Sequence, residues 1–495
     1  MRFLFALALG LFVSSAISAQ PIDEYMDLQL HPCMHLTYKF FEPGLTWFDE
    51  ANPPKLSHKH LLNNICYANY FKGNKGARIL AVGALTQENI GSPKKARRLI
   101  MSQIEYVNKF VAENPEHFAV GRSPQEVRDL VHNTDKTIFV HCIEGGRNLV
   151  NSQADAQFWA DQGVAFITLI HLVDWKYGGS GIRPGFATHL LNLGADFRRE
   201  EKRGLNEHGK QAILWLANAG VMTDITHMSD QSRKDALAFM EMHNIPPIST
   251  HDFFKPIHNQ PRGMEEGDVL KVYRNNGFVS LAAGGIACRA YKPRADYKAK
   301  IDSLESYCNG SIDSYKFTYL AVKDYIESNI ASIYGDSVKL ENMTEAQKVN
   351  LSIGFQTDFN GWLDHHLPRY GPEGCYPIHP DSTYEAVDIQ GLAHPGLLES
   401  HWRALTSRPS GVRQRSSCSY GSNSCITEED SGSIIERIVF FSIPQTFVPL
   451  PRANEHLASS SSCPYPEDFR IAVDAQMQAA PWFESPTELR WGFFV

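Results

Sequence analysis

Short apolar runs alternate with amphipathic stretches along most of the chain. In three of the stretches, at 95–114, 206–219 and 230–243, apolar residues recur at helical spacing. Gly220 and Ser229 mark the end of the second predicted helix and the N-cap of the third. Eight apolar runs have the length of buried strands, and they lie at 25–31, 78–85, 137–144, 164–171, 221–227, 246–251, 277–284 and 351–358.

Strand and helix patterns that alternate this many times predict parallel strands with right-handed crossovers, which can close into a (β/α)8 TIM-type barrel of the α/β class. An open doubly wound sheet is the alternative, and it would bind a ligand at a single switch point. Five of the runs end in side chains that can bind metal or move protons, and these are Glu144, His171, His227, His251 and Asp358. Functional residues at the C-terminal ends of several strands favour the barrel.

Two segments exceed what a barrel needs. Residues 286–350 fall between the seventh and eighth runs, and their polar, helical character predicts a helical insertion beside the active-site mouth. Residues 371–495 follow the last run and contain Pro-rich and Ser-rich turns, which predict a C-terminal extension of helices and loops packed on the barrel. The barrel with its insertion would then occupy residues 20–370.

The N-terminus has the pattern of a cleaved signal peptide over residues 1–19. Arg2 precedes an apolar stretch from Leu4 to Val13, and Ala19 ends a group of small residues suited to cleavage. The apolar stretch is far shorter than the roughly 20 residues that a membrane span needs. We therefore expect a secreted or periplasmic protein with no integral membrane segment.

Composition narrows the class of partner. The 495-residue chain is 43% hydrophobic and 21% charged, with a formal net charge of −8 that becomes −9 when the segment containing Arg2 is removed. This mild acidity argues against a nucleic-acid partner, which calls for a basic face.

Nine cysteines follow the signal peptide. An oxidising compartment favours disulfide bonds among them, and the odd number leaves at least one thiol unpaired within the chain. Cys418 and Cys425 bracket a polar segment and are the best candidates for a local bridge, whereas Cys142 lies in an apolar strand and is expected to be a buried free thiol.

The strand-end residues suit metal-assisted hydrolysis. His227 and His251 can bind a divalent metal through neutral imidazole nitrogens. A carboxylate such as Glu144 or Asp358 can bridge two metals, which then generate a hydroxide for attack on a carbonyl. His171 can bind or polarise the substrate oxygen. One or two ions are compatible with this set, and the residues alone leave the choice between zinc and another divalent ion open.

Five segments together resemble the membrane (renal-type) dipeptidase family, peptidase family M19, in order and approximate spacing. The segments are IEGGRNL, FITLIHLVDW, GLNEHGKQAILWLANAGVMTDITHMS, PPISTHDFFKP and IGFQTDFNG. The resemblance runs from about residue 25 to residue 365. It implies a (β/α)8-barrel zinc hydrolase of dipeptides or related small amides, and the possibility of a homodimer.

The resemblance also implies roles for individual residues. Glu144 would bridge the two zinc ions, His227 and His251 would bind one zinc, and Asp358 would bind the other and take a proton from the attacking water. His171 would contact the substrate. Arg262 would hold the substrate carboxylate, a role suited to its planar, bidentate guanidinium.

The first strand departs from the family pattern Asp-x-His-x-Asp. One register places Gln29 on the family histidine and His31 on the second aspartate, whereas the other places His31 on the histidine and Cys33 on the aspartate. We prefer the first, which makes His31 a metal ligand next to a weak Gln29 donor. In either register one ligand is altered. Smaller departures are Asp252 in place of Ser and Asn360 in place of Asp.

The sequence therefore favours zinc-dependent hydrolysis of dipeptides or related small amides by a metal-bound hydroxide. Two alternatives stay open. A single-metal hydrolase using Glu144, His227 and His251 would act on another amide or on a lactam-like substrate. A catalytically degenerate barrel would instead bind a peptide or a protein partner.

Overall fold

A computed structural model describes residues 25–59, 65–72, 76–86, 92–181, 203–285, 289–380 and 382–406. Its strands form one parallel sheet in the order β1-β2-β4-β5-β6-β7-β8-β9, with β3 pairing only with β4. The strands are β1 (Tyr25–Leu30), β2 (Ala77–Leu85), β3 (Phe118–Val120), β4 (Thr137–Glu144), β5 (Val164–Thr168), β6 (Met222–Asp224), β7 (Ile248–Asp252), β8 (Phe278–Ala282) and β9 (Ile353–Gln356). Eight of them correspond to the predicted runs, and β3 was not predicted.

The first and last strands meet and nearly close the barrel. The backbone N–H of Asp358 donates to the carbonyl of Gln29 at 2.8 Å, and that of His31 donates to the carbonyl of Phe359 at 2.8 Å. The buried Asp27 carboxylate reinforces this seam by accepting from the backbone N–H of Thr357 at 3.0 Å. The predicted (β/α)8 barrel is confirmed, and the open sheet is excluded.

Helices follow most strands and cover the outside of the barrel. The three helices predicted from periodicity are present, within two residues of their predicted bounds. The helices are α1 (Met34–Thr37), α2 (Pro93–Glu113), α3 (Pro124–Asn133), α4 (Gln153–Asp161), α5 (Glu207–Asn218), α6 (Asp230–Met242), α7 (Glu266–Arg274), α8 (Ala295–Asp302), α9 (Ile312–Ser328), α10 (Ile330–Tyr334), α11 (Glu345–Asn350), α12 (Ala386–Gln390) and α13 (Leu398–Thr406).

Local sequence signals explain several helix ends. The Ser229 hydroxyl accepts from the backbone N–H of Ser232 and caps α6, as predicted. Gly220 has a φ of +75°, the left-handed conformation that ends α5 at little cost for glycine. Along α2, the buried Ile100, Ile104 and Val107 recur every three or four residues and turn one face to the sheet.

A layer of mostly apolar side chains lies beneath the mouth of the barrel. Five adjacent strands each contribute one buried residue, and these are Ala81, Cys142, Phe166, Met222 and Ile248. Side chains alternate between the two faces of a strand, so the residue two positions after Cys142 points the same way. That residue is Glu144, and it stands one layer higher, at the C-terminal rim.

Four helices, α8 to α11, lie in the described part of the 286–350 segment, where the helical insertion was predicted. The Cys308–Cys375 disulfide joins this segment to the chain after β9. In the chain after β9, Arg369 forms a buried ion pair with Asp388 of α12 at 2.8 Å. Trp402 of α13 packs on Phe355 of β9, with ring centroids 5.2 Å apart. The described part of the C-terminal extension therefore packs on the barrel, whereas the domain bounds remain a prediction.

Three described cysteines are free and buried, namely Cys33, Cys66 and Cys142, which agrees with the prediction for Cys142. The proposed Cys418–Cys425 bridge and the predicted signal peptide lie outside the described residues. Within the described residues, no helix has the length and apolar character needed to cross a membrane.

Candidate metal centre

The strand-end residues singled out in the sequence converge on Glu144, the last residue of β4. His251 belongs to β7, and His31, His171, His227 and Asp358 follow the ends of β1, β5, β6 and β9. All of these residues except Asp358 are buried. Because the strands are parallel, their C-terminal ends meet at one rim, which brings residues far apart in sequence together.

The two carboxylate oxygens of Glu144 face two different groups of ligands. Oε1 lies 3.1 Å from Nε2 of His227 and 3.0 Å from Nε2 of His251. Oε2 lies 3.1 Å from Nε2 of His31, which is also 3.4 Å from Oδ1 of Asp358. The ligand atoms of each group lie within 4.8 Å of one another. We call Glu144, His227 and His251 the histidine half, and His31, Glu144 and Asp358 the carboxylate half.

A buried hydrogen-bond chain fixes the tautomer of His251. The Thr250 hydroxyl donates to Oδ2 of Asp224 at 2.8 Å, so its oxygen is left to accept from Nδ1–H of His251, also at 2.8 Å. Nε2 of His251 therefore carries a lone pair, and it lies 2.8 Å from Nε2 of His227. A cation shared by these nitrogens suits the arrangement, since second-shell groups orient metal-ligating histidines in this way.

The orientation of His31 leads to the same conclusion for the carboxylate half. Its Nδ1 lies 2.9 Å from the carbonyl of Gly83, which can only accept, so Nδ1 is the donor. Nε2 then faces carboxylate oxygens of Glu144 and Asp358 and needs a proton or a cation between itself and them. Burial opposes charge on His31, but Asp358 and Glu144 raise its pKa to about 10. The donor set thus fits a divalent ion in each half.

The charge of Glu144 is also stabilised. Burial would raise its pKa, but the nearby His171 and the close contacts of the carboxylate with His227, His251 and His31 hold that pKa well below its ordinary value. Burial lowers the pKa of His227, and the positive charge of Arg262 adds to this effect. An ionised carboxylate beside a neutral imidazole is the protonation state in which both bind a metal ion.

Two of the candidate ligands have a left-handed backbone. His227 has a φ of +68° and Asp358 a φ of +52°, and neither is glycine. Such conformations cost on the order of 1–3 kcal/mol each and cluster at functional sites. Both residues lie at the rim, within three residues of the end of their strands.

The position of Gln29 and Cys33 distinguishes the two sequence registers. Nε2 of Gln29 lies 3.1 Å from Nε2 of His31, so this buried amide borders the carboxylate half. Cys33 is the N-cap of α1, and its thiol contacts the carbonyl of Gln103 at 3.8 Å. The structure therefore brings Gln29 and His31 to the site and turns the Cys33 thiol away from it, while the ligand roles of these residues remain a prediction.

His171 and Arg262 lie beside the ligand groups. Nε2 of His171 is 3.6 Å from Oε1 of Glu144, and its ring meets His227 edge to face at 4.5 Å between centroids. Arg262 donates from Nη2 to the carbonyl of His251 at 2.6 Å, and its guanidinium covers the Phe253 ring at 4.6 Å. Its Nε has no hydrogen-bond partner among the described residues.

Sequence reasoning missed the groups that support the ligands. Asp224 accepts hydrogen bonds from the hydroxyls of Thr168, Thr226 and Thr250 at the base of the histidine half. The sequence signal that could have revealed Asp224 is its charge inside the apolar run VMTDITH. An unpaired carboxylate there would be costly, so hydrogen-bond donors must lie nearby. Gly83 gave no such signal, since its role depends on the neighbouring strand.

Gly83 leaves the space that His31 occupies, which allows a test of the carboxylate half. A Cβ at position 83 would lie 2.6 Å from Cε1 of His31, whereas one at Gly267 meets nothing within 4 Å. We expect Gly83→Ala to displace His31 and to cost about 1–3 kcal/mol of stability. Elemental analysis should then find less metal per chain, while Gly267→Ala keeps both metal content and melting temperature. Unchanged metal content in a folded Gly83→Ala protein would exclude His31 as a ligand.

The fold and the site together define a class of protein, a (β/α)8 barrel in which two ligand groups at the C-terminal rim share one carboxylate. The chain belongs to the membrane dipeptidase family, peptidase family M19, because a sequence model of that family matches residues 45–309. That segment is a little over half of the 495 residues and contains Glu144, His227 and His251.

Individual relatives are distant. Dipeptidase 3 of Mus musculus is 24% identical over 203 residues, which are 40% of this chain and 37% of that protein. Dipeptidase ataJ of Aspergillus terreus is 22% identical over 193 residues, which are 37% of this chain and 45% of that protein. The matched segments therefore span less than half of these relatives. A metallo peptidase from Rhodobacter sphaeroides has a similar fold, with a TM-score of 0.50 and 13% identity over 79% of this chain and 94% of that chain.

Proposed function

We propose that this protein is a zinc-dependent hydrolase of dipeptides or related small amides. The observation that carries the proposal is the position of Glu144: its Oε1 lies 3.0–3.1 Å from the imidazoles of His251 and His227, and its Oε2 lies 3.1 Å from that of His31. A carboxylate shared in this way suits two divalent ions, and the two imidazoles of the histidine half suit zinc. Ions held there would supply Lewis acidity toward water and toward the carbonyl oxygen of the substrate.

Asp358 is the proposed general base. Its side chain is 13% exposed, whereas those of His31 and Glu144 are 2% and 6% exposed, so it reaches the open side of the site. Nδ2 of Asn360 donates to its Oδ1 at 3.2 Å and holds the carboxylate in position. From there Asp358 takes the proton that water loses as it attacks the carbonyl carbon, and then passes it to the leaving amine.

His171 is the proposed partner of the carbonyl oxygen. Its buried ring lies beside Glu144 and His227 at the edge of the site. An imidazole N–H at this position can donate to the negative charge that develops on the oxygen as the tetrahedral centre forms. Because the ring is packed on His227, it is already oriented before substrate binds.

Arg262 is the proposed partner of the substrate carboxylate, and Arg262→Lys tests this role. A planar guanidinium can bind a carboxylate through two hydrogen bonds, and lysine cannot reproduce that geometry. Losing one hydrogen bond to a charged group costs about 1.5–3 kcal/mol, so KM for a dipeptide should rise roughly 10- to 100-fold.

A second substrate provides the control for Arg262→Lys. A dipeptide with an amidated C-terminus has no carboxylate, so its kcat/KM should be nearly the same for the wild type and for Arg262→Lys. Equal losses on both substrates would mean that Arg262 acts only by supporting the His251 carbonyl and the Phe253 ring.

Export is part of the proposal. The predicted signal peptide and the Cys308–Cys375 disulfide both support an oxidising, secreted or periplasmic location. The possible homodimer remains a prediction.

The activity is tested directly with the purified mature protein. L-Ala-D-Ala is the first substrate to try, because the Rhodobacter sphaeroides metallo peptidase was solved with a phosphinate mimic of that dipeptide. Hydrolysis that is lost on chelation and restored by zinc would support the proposal. Absence of hydrolysis across a panel of dipeptides, with zinc bound, would contradict it.

A further inference from the structure

The two halves of the centre offer a metal ion different atoms. The histidine half provides two imidazole nitrogens and one carboxylate oxygen, whereas the carboxylate half provides one imidazole nitrogen and two carboxylate oxygens. Nitrogen-rich sites suit zinc, and oxygen-rich sites suit harder ions such as manganese and magnesium. The chemistry of the ligands therefore makes the halves unequal.

Gln29 increases the difference. Its side chain is buried and lies 3.1 Å from Nε2 of His31, and its Oε1 accepts from the Cys142 thiol at 3.6 Å. An amide N–H beside a cation is repelled, whereas a half-turn of the side-chain amide would exchange nitrogen and oxygen. The Cys142 sulfur, a weak acceptor, can then face the amide N–H.

We infer that the carboxylate half is completed by the Gln29 amide oxygen and prefers a harder ion than zinc, so that the chain loads its two ions unequally. This inference rests on the proposed two-metal function and adds the identity and order of the ions. The histidine half takes zinc first. The carboxylate half, with two carboxylate oxygens, one amide oxygen and one imidazole, binds zinc more weakly and accepts manganese.

The matched family segment agrees with this division. Residues 45–309 include both histidines of the histidine half, whereas Gln29, His31 and Asp358 lie outside that segment. The altered first-strand residues thus lie outside the part of the chain that the family model matches.

The test is a calorimetric titration of the metal-free, full-length mature protein with zinc chloride and with manganese chloride. For the wild type we expect one tight zinc ion and a second that binds at least roughly 10-fold more weakly, since lost or altered support of a ligand changes metal affinity about 10- to 100-fold. Protein loaded with one zinc ion per chain should then bind one manganese ion. The electron paramagnetic resonance signal of manganese follows this binding independently.

Gln29→His supplies a second imidazole to the carboxylate half. It should tighten the second zinc roughly 10-fold or more and weaken manganese binding to the zinc-loaded protein. Gln29→Ala removes the amide and should weaken manganese without strengthening zinc. Gln157→His, which places an imidazole on the exposed face of α4, should leave both constants unchanged. Circular dichroism reports folding, and the wild-type titration alone decides the case if both Gln29 variants unfold.

Three outcomes of these titrations separate this inference from the proposed function. Two zinc ions of equal affinity, or a second zinc constant that Gln29→His leaves unchanged, would overturn the inference and leave the two-metal hydrolase intact. No zinc binding at all would overturn both.

Discussion

Glu144→Gln is expected to lower kcat/KM for dipeptides by at least about 10³-fold and to bind less metal in both halves. The reason is that one side chain serves two groups of ligands: Oε1 faces His227 and His251, and Oε2 faces His31. The amide has the same shape but carries no charge, and its nitrogen cannot bind a cation. Lewis acidity lowers a reaction barrier by several kcal/mol, and each 1.4 kcal/mol corresponds to about a tenfold change in rate.

The measurement combines elemental analysis with initial-rate kinetics on the folded variant. Glu113→Gln is the matched control, because Glu113 has 61% of its side chain exposed and sits at the end of α2. It should keep full activity and full metal content. A folded Glu144→Gln protein with unchanged metal content and less than a tenfold loss of activity would show that Glu144 is not the shared ligand.

Asp358→Asn lowers kcat by about 10²- to 10⁴-fold, the range that general acid–base catalysis contributes. An asparagine cannot take a proton from water, yet its side-chain oxygen occupies the same position. KM should change much less than kcat, because the proposed carboxylate partner of the substrate, Arg262, is untouched.

Asp364→Asn is the control for this substitution, since Asp364 is an exposed residue of the same loop. Metal content must be measured in parallel, because Asp358 is also a candidate ligand of the carboxylate half. A low kcat with two ions still bound assigns the proton transfer to Asp358. An unchanged kcat would exclude Asp358 as the base and require another group at the rim.

The sequence predicts the barrel well because the signal is local. Each barrel strand is a short buried run, and the polar residue that ends it stands out against apolar neighbours, as Glu144 does after TIFVHCI. The short β3 was not predicted because three residues show too little periodicity. It pairs only with the first three residues of β4. Parallel topology then brings the five strand-end residues to one rim.

Long-range geometry explains what the sequence leaves open. Gln29, His31 and Cys33 alternate like the inward positions of a strand, so both registers fit the alternation. The structure adds what the alternation lacks. β1 ends at Leu30 and Cys33 is the N-cap of α1, so the Cys33 thiol faces α2 instead of the strand-end residues. The left-handed backbone at His227 and the space left by Gly83 depend on contacts between strands, and no residue pattern encodes them.

The most direct test of the central claim is anomalous X-ray diffraction from crystals of the purified protein loaded with zinc and manganese. The account predicts two anomalous peaks, one on each side of Glu144, with the zinc peak beside His227 and His251. A single peak beside those two histidines would reduce the centre to one metal. The absence of any peak within coordination distance of Glu144 would contradict the account.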